Sequence, residues 1–172
     1  MSDPAPRPFN KGRLILIWLG LAVFVIGTWL VIRSQRPEAV QFKLEPETEG
    51  PEQQLAFYLA RADVARGQAI FARCAACHRI EPGAPHAVGP NLHGVMGQPI
   101  AARPGFNYSD ALRNKGGSWD WETTNLFLRS PRHFAPGTRM AFGGITRPQE
   151  RADLMLYLNR EGGTLGTPEG AR

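Results

Sequence analysis

Residues 74–78 read Cys-Ala-Ala-Cys-His, and Cys74 and Cys77 are the only two cysteines in the chain. Two thiols three positions apart, with an imidazole directly after the second, suit four kinds of chemistry: a disulfide, a thioredoxin-like redox pair, half of a metal site, or covalent attachment of a haem. A disulfide here would close a trivial loop and leave His78 unexplained. A zinc ribbon needs a second pair of soft ligands, which the cysteine count rules out. A thioredoxin-like pair wants a sheet with alternating helices. Haem attachment uses all three residues: thioether bonds from Cys74 and Cys77, with His78 next to them to coordinate the iron.

A six-coordinate iron needs one more donor, and four methionines and three further histidines are available. Met1 lies on the far side of the apolar run Leu14–Ile32. Met155, between Leu154 and Leu156, reads as core filler. Met96, in LHGVMGQP, reads as an apolar wall. Met140, in APGTRMAFGG, sits on a loop rich in Pro and Gly, 62 positions beyond His78, and can approach the opposite face of a haem. It is the best candidate for the sixth ligand.

The elements that must position these groups begin with that apolar run. Leu14 to Ile32 carries no ionisable group, and its nineteen residues would span about 28 Å as a helix, close to the apolar thickness of a bilayer. A cleavable secretion signal would have a shorter core and a small-x-small site after it, and RSQRPEAVQF stands there instead. The run is therefore expected to be an uncleaved transmembrane anchor, with Trp18 and Trp29 near the interfaces. Arg7, Lys11 and Arg13 before it outnumber Arg33 and Arg36 after it, which favours a cytoplasmic N-terminus over residues 1–13. Residues 33–61 are expected to form a linker: from Pro37 to Glu52 there are five glutamates against Lys43 and three prolines, a composition that cannot bury a core. Within it LAFYLARAD, Leu55 to Asp63, is apolar enough for a short helix packed on the domain after it.

Residues 62–162 are expected to form one small all-α domain, and 163–172 a flexible tail. Asp63 caps a helix through Arg73, with Val64, Gly67 and Phe71 on one face. Ser109 caps a short second helix that Gly116 ends, and Asp120 a third that stops before Pro131. Thr146 with Gln149, and Pro148 in the first turn, start a last helix to about Arg160. Alternation of the strand type is nearly absent and the loops are long. So much loop in so small a domain implies that something other than side chains fills its centre.

The blocks VARGQAIFARCAACH, VGPNLHGVMG, PGFNYSDALRNKG with Trp119 after it, PRHFAPGTRMAF and ERADLMLYL, in that order, resemble a class I cytochrome c from about Val64 to Leu158. Within that family the chain is similar to the group of mitochondrial cytochrome c and its alphaproteobacterial relatives, and the apolar run makes it similar to membrane-anchored bacterial cytochromes such as cytochrome cy. The resemblance implies one covalent haem c, held by Cys74 and Cys77, with His78 and Met140 as axial ligands. It implies that the Pro90 carbonyl accepts the Nδ1 proton of His78, and that Gly67 and Phe71 meet Leu154 and Tyr157 where first and last helices cross. Tyr108, Trp119 and Thr138 resemble the donors that hold a haem propionate; for Tyr108 and Trp119 a plain core role stays open.

There are departures. Gln98 stands where the family has an arginine near the propionates, with Arg103 as the candidate substitute; Phe127 replaces a tyrosine and Leu112 an asparagine. His133 takes the place of a frequent lysine, either as a solvated residue or as an alternative ligand when the loop loosens at raised pH. His93 reads as structural and His86 as exposed.

An iron closed on both faces changes oxidation state and does little bond chemistry, so the expectation is an electron carrier, not an enzyme. From Ala62 onward 13 Lys and Arg stand against 9 Asp and Glu, and Arg73, Arg132 and Arg139 flank the haem-bearing segments, a charge pattern for steering onto acidic docking sites. No basic helix or aromatic platform points to nucleic acid. The resemblance implies electron transfer from a cytochrome bc1 complex to a terminal oxidase or photosynthetic reaction centre, with the domain on the periplasmic side of a bacterial inner membrane. Two other readings stay open: a fixed electron-transfer subunit of a larger oxidase or dehydrogenase, and a ligand sensor or peroxidase with a labile Met140.

Overall fold

The computed structural model describes residues 26–29 and 51–172. Residues 26–29 are helical, with Ile26 and Trp29 exposed. The rest of the expected anchor over 14–32, the N-terminus before it and residues 33–50 of the expected linker lie outside the described residues. Among the described residues no helix is long and apolar enough to cross a membrane.

From residue 51 the chain forms six helices: α1 Pro51–Leu59, α2 Val64–Phe71, α3 Asp110–Arg113, α4 Trp121–Arg129, α5 Pro131–Phe134 and α6 Pro148–Arg160. Among the described residues there is no strand, only an isolated antiparallel bridge between Pro99 and Ser118. The long 72–109 segment contains no helix.

Helix starts follow their side chains. Asp63 accepts from the Arg66 amide at 2.8 Å, Ser109 from that of Leu112 at 3.4 Å and Asp120 from that of Thr123 at 2.7 Å, each satisfying an amide that the first turn leaves unpaired. The expected cap at Thr146 does not form. Helix α6 begins at Pro148 with Arg147 in the capping position and no side-chain cap, because Gln149 turns away to donate to the Tyr58 carbonyl and to Asp153, both at 3.1 Å. Pro131, expected only to stop the helix before it, also opens α5, since proline supplies the φ that a first helical turn needs.

The core is built where α2 crosses α6. A Cβ on Gly67 would sit on the Asp153 carbonyl oxygen and 2.7 Å from Tyr157 Cβ, so only glycine allows this approach. Phe71 then reaches the Tyr157 ring at 5.4 Å between centroids, and Leu154 lies fully buried in the same cluster. Asp153, 2% exposed, locks the crossing: it accepts from the Asp63 amide and from two nitrogens of Arg66 at 2.8–2.9 Å, so the buried carboxylate is fully solvated by protein. Gly67→Ala is expected to destabilise the domain by about 2 kcal/mol net, overpacking outweighing the better helix propensity of alanine. Thermal unfolding of the holoprotein checks this, with a fall of about 8 °C expected.

Two boundaries move. The short helix expected from Leu55 onward forms as α1 and buries Leu55, Tyr58 and Leu59 in the main core, so the packed domain begins before the residue 62 boundary; three large apolar side chains in one and a half turns outweigh the acidic residues before them. The tail expectation for 163–172 is corrected as well. Arg172 exchanges backbone hydrogen bonds with the 62–64 segment at 2.8–2.9 Å, the Thr164 amide donates to the Met96 carbonyl, and Asn159 brackets Leu165 with both ends of its amide. Those bonds fix a stretch whose composition alone reads as loose.

Candidate functional site

Helix α2 ends at Phe71, two residues short of the expected Arg73, and the chain goes into tight turns in which the amides of Cys77 and His78 both donate to the Cys74 carbonyl, at 3.0 and 2.9 Å. These turns put both thiols on one short, rigid platform. Both are free, Cys74 half-buried and Cys77 exposed. Burial pushes the Cys74 thiol up, with the neighbouring Arg73 charge acting the other way.

His78 comes next, and its orientation is set from outside the motif. Nδ1 lies 2.7 Å from the Pro90 carbonyl oxygen. A carbonyl only accepts, so Nδ1 carries the proton and Nε2 keeps a lone pair free for a metal. Burial pulls the imidazole below its ordinary value, opposed by the bond to Pro90. For a base whose folded value is lowered, the unfolded chain binds more protons between that value and 6.5, so stability rises with pH across this window and falls on acidification through it. The ring is therefore kept neutral at neutral pH, the form a metal requires.

What holds Pro90 was not visible in the motif. A Cβ on the buried Gly89 would come within 2.7 Å of His78 Nδ1 and 2.8 Å of Nε2, so residue 89 must be glycine for the ring to lie flat against the chain. His86, expected to be exposed, is a half-buried bridge: its Nε2 donates to the Pro104 carbonyl at 2.9 Å and its Nδ1 accepts from the Asn91 amide at 3.0 Å. Asn91 donates to the carbonyls of Glu81 and Ala84 and accepts from the His93 amide. The 79–93 segment thus wraps around one asparagine and presents Pro90 to His78. The signal available in sequence was Gly89 directly before Pro90 and Asn91, a glycine placed where the backbone can approach another group closely.

Tyr108 and Trp119 share a second apolar cluster with Leu112 and Ala135. Burial pushes the Tyr108 phenol up, against the nearby Arg103 amide and guanidinium, so it stays a hydrogen-bond donor. Arg103 itself donates to the His93 carbonyl. Gln98 joins Trp119 through the backbone, at 2.8 Å. Phe127 packs on Trp119 at 4.9 Å and on Phe134 at 5.6 Å, the use to which an aromatic ring without a hydroxyl is put.

From Ala135 in this cluster the chain turns, with the Thr138 amide donating to the Ala135 carbonyl at 2.9 Å, and the Thr138 hydroxyl oxygen accepts from the Met140 amide at 3.3 Å. Met140 is half-buried, on a loop between α5 and α6. By contrast Met155 is fully buried, and so is Met96, whose sulfur accepts from the Thr124 hydroxyl at 3.7 Å; neither thioether is free to face a cofactor. His133 is exposed on α5. Arg73 lies 3.7 Å from Glu150, Arg132 is exposed, and Arg139 donates to the Asn107 carbonyl.

A free thiol pair on a turn, a neutral imidazole with Nε2 open, a thioether on a separate loop and a buried phenol fit a covalently held metallomacrocycle. They do not fit a cage of protein ligands, since no group of three or more His, Cys, Asp or Glu side chains is placed to hold an ion among the described residues. The family model for cytochrome c matches residues 64–160. The chain belongs to the cytochrome c family. Members of this family are electron carriers that bind one covalent haem c, and the two cysteines required for it are present.

Among relatives, a "cytochrome c homolog" of Bradyrhizobium diazoefficiens is 47% identical over 102 residues, 59% of this chain and 55% of the relative, so the match spans about half that protein's length. Cytochrome c2 of Rhodomicrobium vannielii is 41% identical over 60% of this chain and 83% of its own length. Among solved structures, cytochrome cH from Methylobacterium extorquens superposes with a TM-score of 0.55 at 38% identity, covering 58% of this chain and 99% of that one. All three similarities extend over little more than half of this chain, the length of the cytochrome domain.

Proposed function

We propose that this cytochrome carries single electrons from a cytochrome bc1 complex to a terminal oxidase or photosynthetic reaction centre while anchored by residues 14–32 in a bacterial inner membrane, its domain in the periplasm. The haem c, bound through Cys74 and Cys77, supplies reversible one-electron chemistry. The chain supplies the rest. His78 and Met140 would hold the iron, the Pro90 carbonyl fixes the imidazole tautomer, and Tyr108, Trp119 and Thr138 would offer donors to a propionate whose charge burial would otherwise penalise. The observation that supports the reading is the 2.7 Å contact of His78 Nδ1 with Pro90 O: it leaves the Nε2 lone pair free to hold an iron, and an imidazole so used is no base for proton transfer, which suits electron transfer and not acid–base catalysis.

Anchoring rests on the ionisable-free run LILIWLGLAVFVIGTWLVI. An anchor keeps the domain in a thin layer beside membrane partners and raises its effective concentration there. Arg132 and Arg139 give the domain cationic charge for acidic docking sites. Turnover of purified bc1 complex and oxidase by the domain starting at Pro51 tests this. The second-order rate is expected to fall by about tenfold between low and moderate salt, as steered encounters do. Salt-insensitive turnover, or turnover by neither partner, would reject it, and recovery of the full chain in the soluble fraction would reject the anchor.

A further inference from the structure

Arg151 is among the few charged side chains the fold buries, at 6% exposed. Burial and the neighbouring positive charge of Arg129 both work against its cationic form. Its guanidinium is nevertheless built into a defined site. Nη1 donates to the carbonyls of Ile145 and Thr146 at 2.8 and 2.9 Å, and Nε donates to Asn125 Oδ1 on α4 at 2.7 Å. One side chain on α6 therefore grips two consecutive carbonyls of a loop and pins them to a third element.

The gripped residues end the loop that carries Met140. Among the described residues, the amides of 141–144 have no backbone carbonyl partner, so the position of Met140 depends on how the loop ends are held. Upstream, α5 and the buried Ala135 hold it. Downstream, the Ile145 amide donates to the Leu128 carbonyl at 2.8 Å, Gly144 adopts a positive φ of 93° at a place where a Cβ would clash with the Arg129 carbonyl, and Arg151 secures the carbonyls of Ile145 and Thr146. Ile145 and Arg151 both bear on α4, so the loop closes onto that helix as a unit.

We propose that Arg151 is a positioning residue for the sixth ligand: by clamping Ile145 and Thr146 against α4 it keeps the Met140 loop closed and denies the iron to outside ligands. The proposal rests on Met140 being that ligand. Loosening the clamp raises the population of an open loop, and the apparent affinity of any exogenous ligand rises with that fraction.

The test is imidazole titration of the ferric holoprotein, followed by absorption, alongside the methionine-to-iron charge-transfer band. Arg151→Met, which keeps the unbranched bulk, is expected to raise imidazole affinity about tenfold, and Arg151→Lys and Asn125→Ala each by about threefold. In a Met140→Ala background the Arg151→Met change is expected to leave imidazole affinity unaltered, because there is no ligand loop left to hold. Gly67→Ala, which presses on α6 at Asp153 and Tyr157 but on none of the groups that Arg151 grips, serves as a measure of plain destabilisation and is expected to lower the unfolding temperature without moving imidazole affinity. Should Arg151→Met fail to take up haem, the lysine and Asn125 variants carry the same criteria. Affinities within about twofold of wild type in the Arg151 and Asn125 variants, or an equal rise in Gly67→Ala, would overturn the proposal. If instead Met140→Ala keeps the wild-type band and affinity, the ligand assignment itself fails.

Discussion

Met140→Ala is expected to abolish the methionine-to-iron charge-transfer band and to lower the midpoint potential of the haem by a few hundred millivolts, within the range over which axial ligands set haem potentials. A thioether is a weak σ-donor that favours ferrous iron, and water or an adventitious base in its place favours ferric. Among the described residues the other two thioethers are buried away from solvent. Met96 is buried with its sulfur on Thr124, Met155 is buried within α6, and His93 is tied to the 79–93 wrap through its amide. His133 is exposed on the helix leading into the loop, and its capture of the iron in the variant is the alternative outcome to be measured. Spectroelectrochemistry of Met140→Ala with and without His133→Asn separates these outcomes. A wild-type spectrum and potential in Met140→Ala would place the sixth ligand elsewhere and remove the electron-shuttle reading. Rapid carbon monoxide binding by the reduced wild-type protein would favour a sensor or peroxidase in its place.

How far the sequence reached depends on which forces were local. Asp63, Ser109 and Asp120 act on amides three residues away, so their helices could be read from spacing. Thr146 failed by the same logic. Its partner Gln149 was drawn off by Tyr58, 91 positions earlier in the chain, and no local pattern records that competition. The α2–α6 crossing came from the family resemblance, and the structure supplies its physical reason: a Cβ on Gly67 would meet Asp153 and Tyr157. The tail after residue 162 was misjudged because Arg172 pairs with Ala62, a contact between distant parts of the chain that composition cannot express, whereas the short helix expected from Leu55 onward is seen in α1. His86 was misread in the same way, since a histidine in a Pro- and Gly-rich loop looks solvated until Pro104 and Asn91 are brought to its two nitrogens. Arg151 was passed over because in sequence it is one charged residue among several on a helix, and only the fold shows its charge turned inward.

Gly89→Ala is expected to be among the most damaging single-methyl changes in the domain. Glycine is required here by space: no positive φ is involved, and the added carbon would meet the His78 ring face within 2.8 Å of both nitrogens. Neither party can yield cheaply. The imidazole is held by Pro90, the very next residue, and residue 89 is fastened by its own amide, which donates to the Cys77 carbonyl at 2.8 Å. Relief requires the ring to rotate and break the Nδ1–Pro90 bond, or the 87–91 segment to lift from the cysteine platform. Overpacking of this kind costs about 3 kcal/mol, and loss of a buried hydrogen bond adds about 1 kcal/mol. The spectroscopic consequence is larger than the energetic one. A ring turned away from the iron axis gives a five-coordinate, high-spin fraction at neutral pH, which the wild type lacks if His78 is the fifth ligand. Gly143→Ala is the matched control, because a Cβ there meets nothing within 4 Å and residue 143 lies on the Met140 loop. A low-spin Gly89→Ala protein with wild-type unfolding temperature would show that His78 does not depend on this contact, and the geometric basis for its role as ligand would be lost.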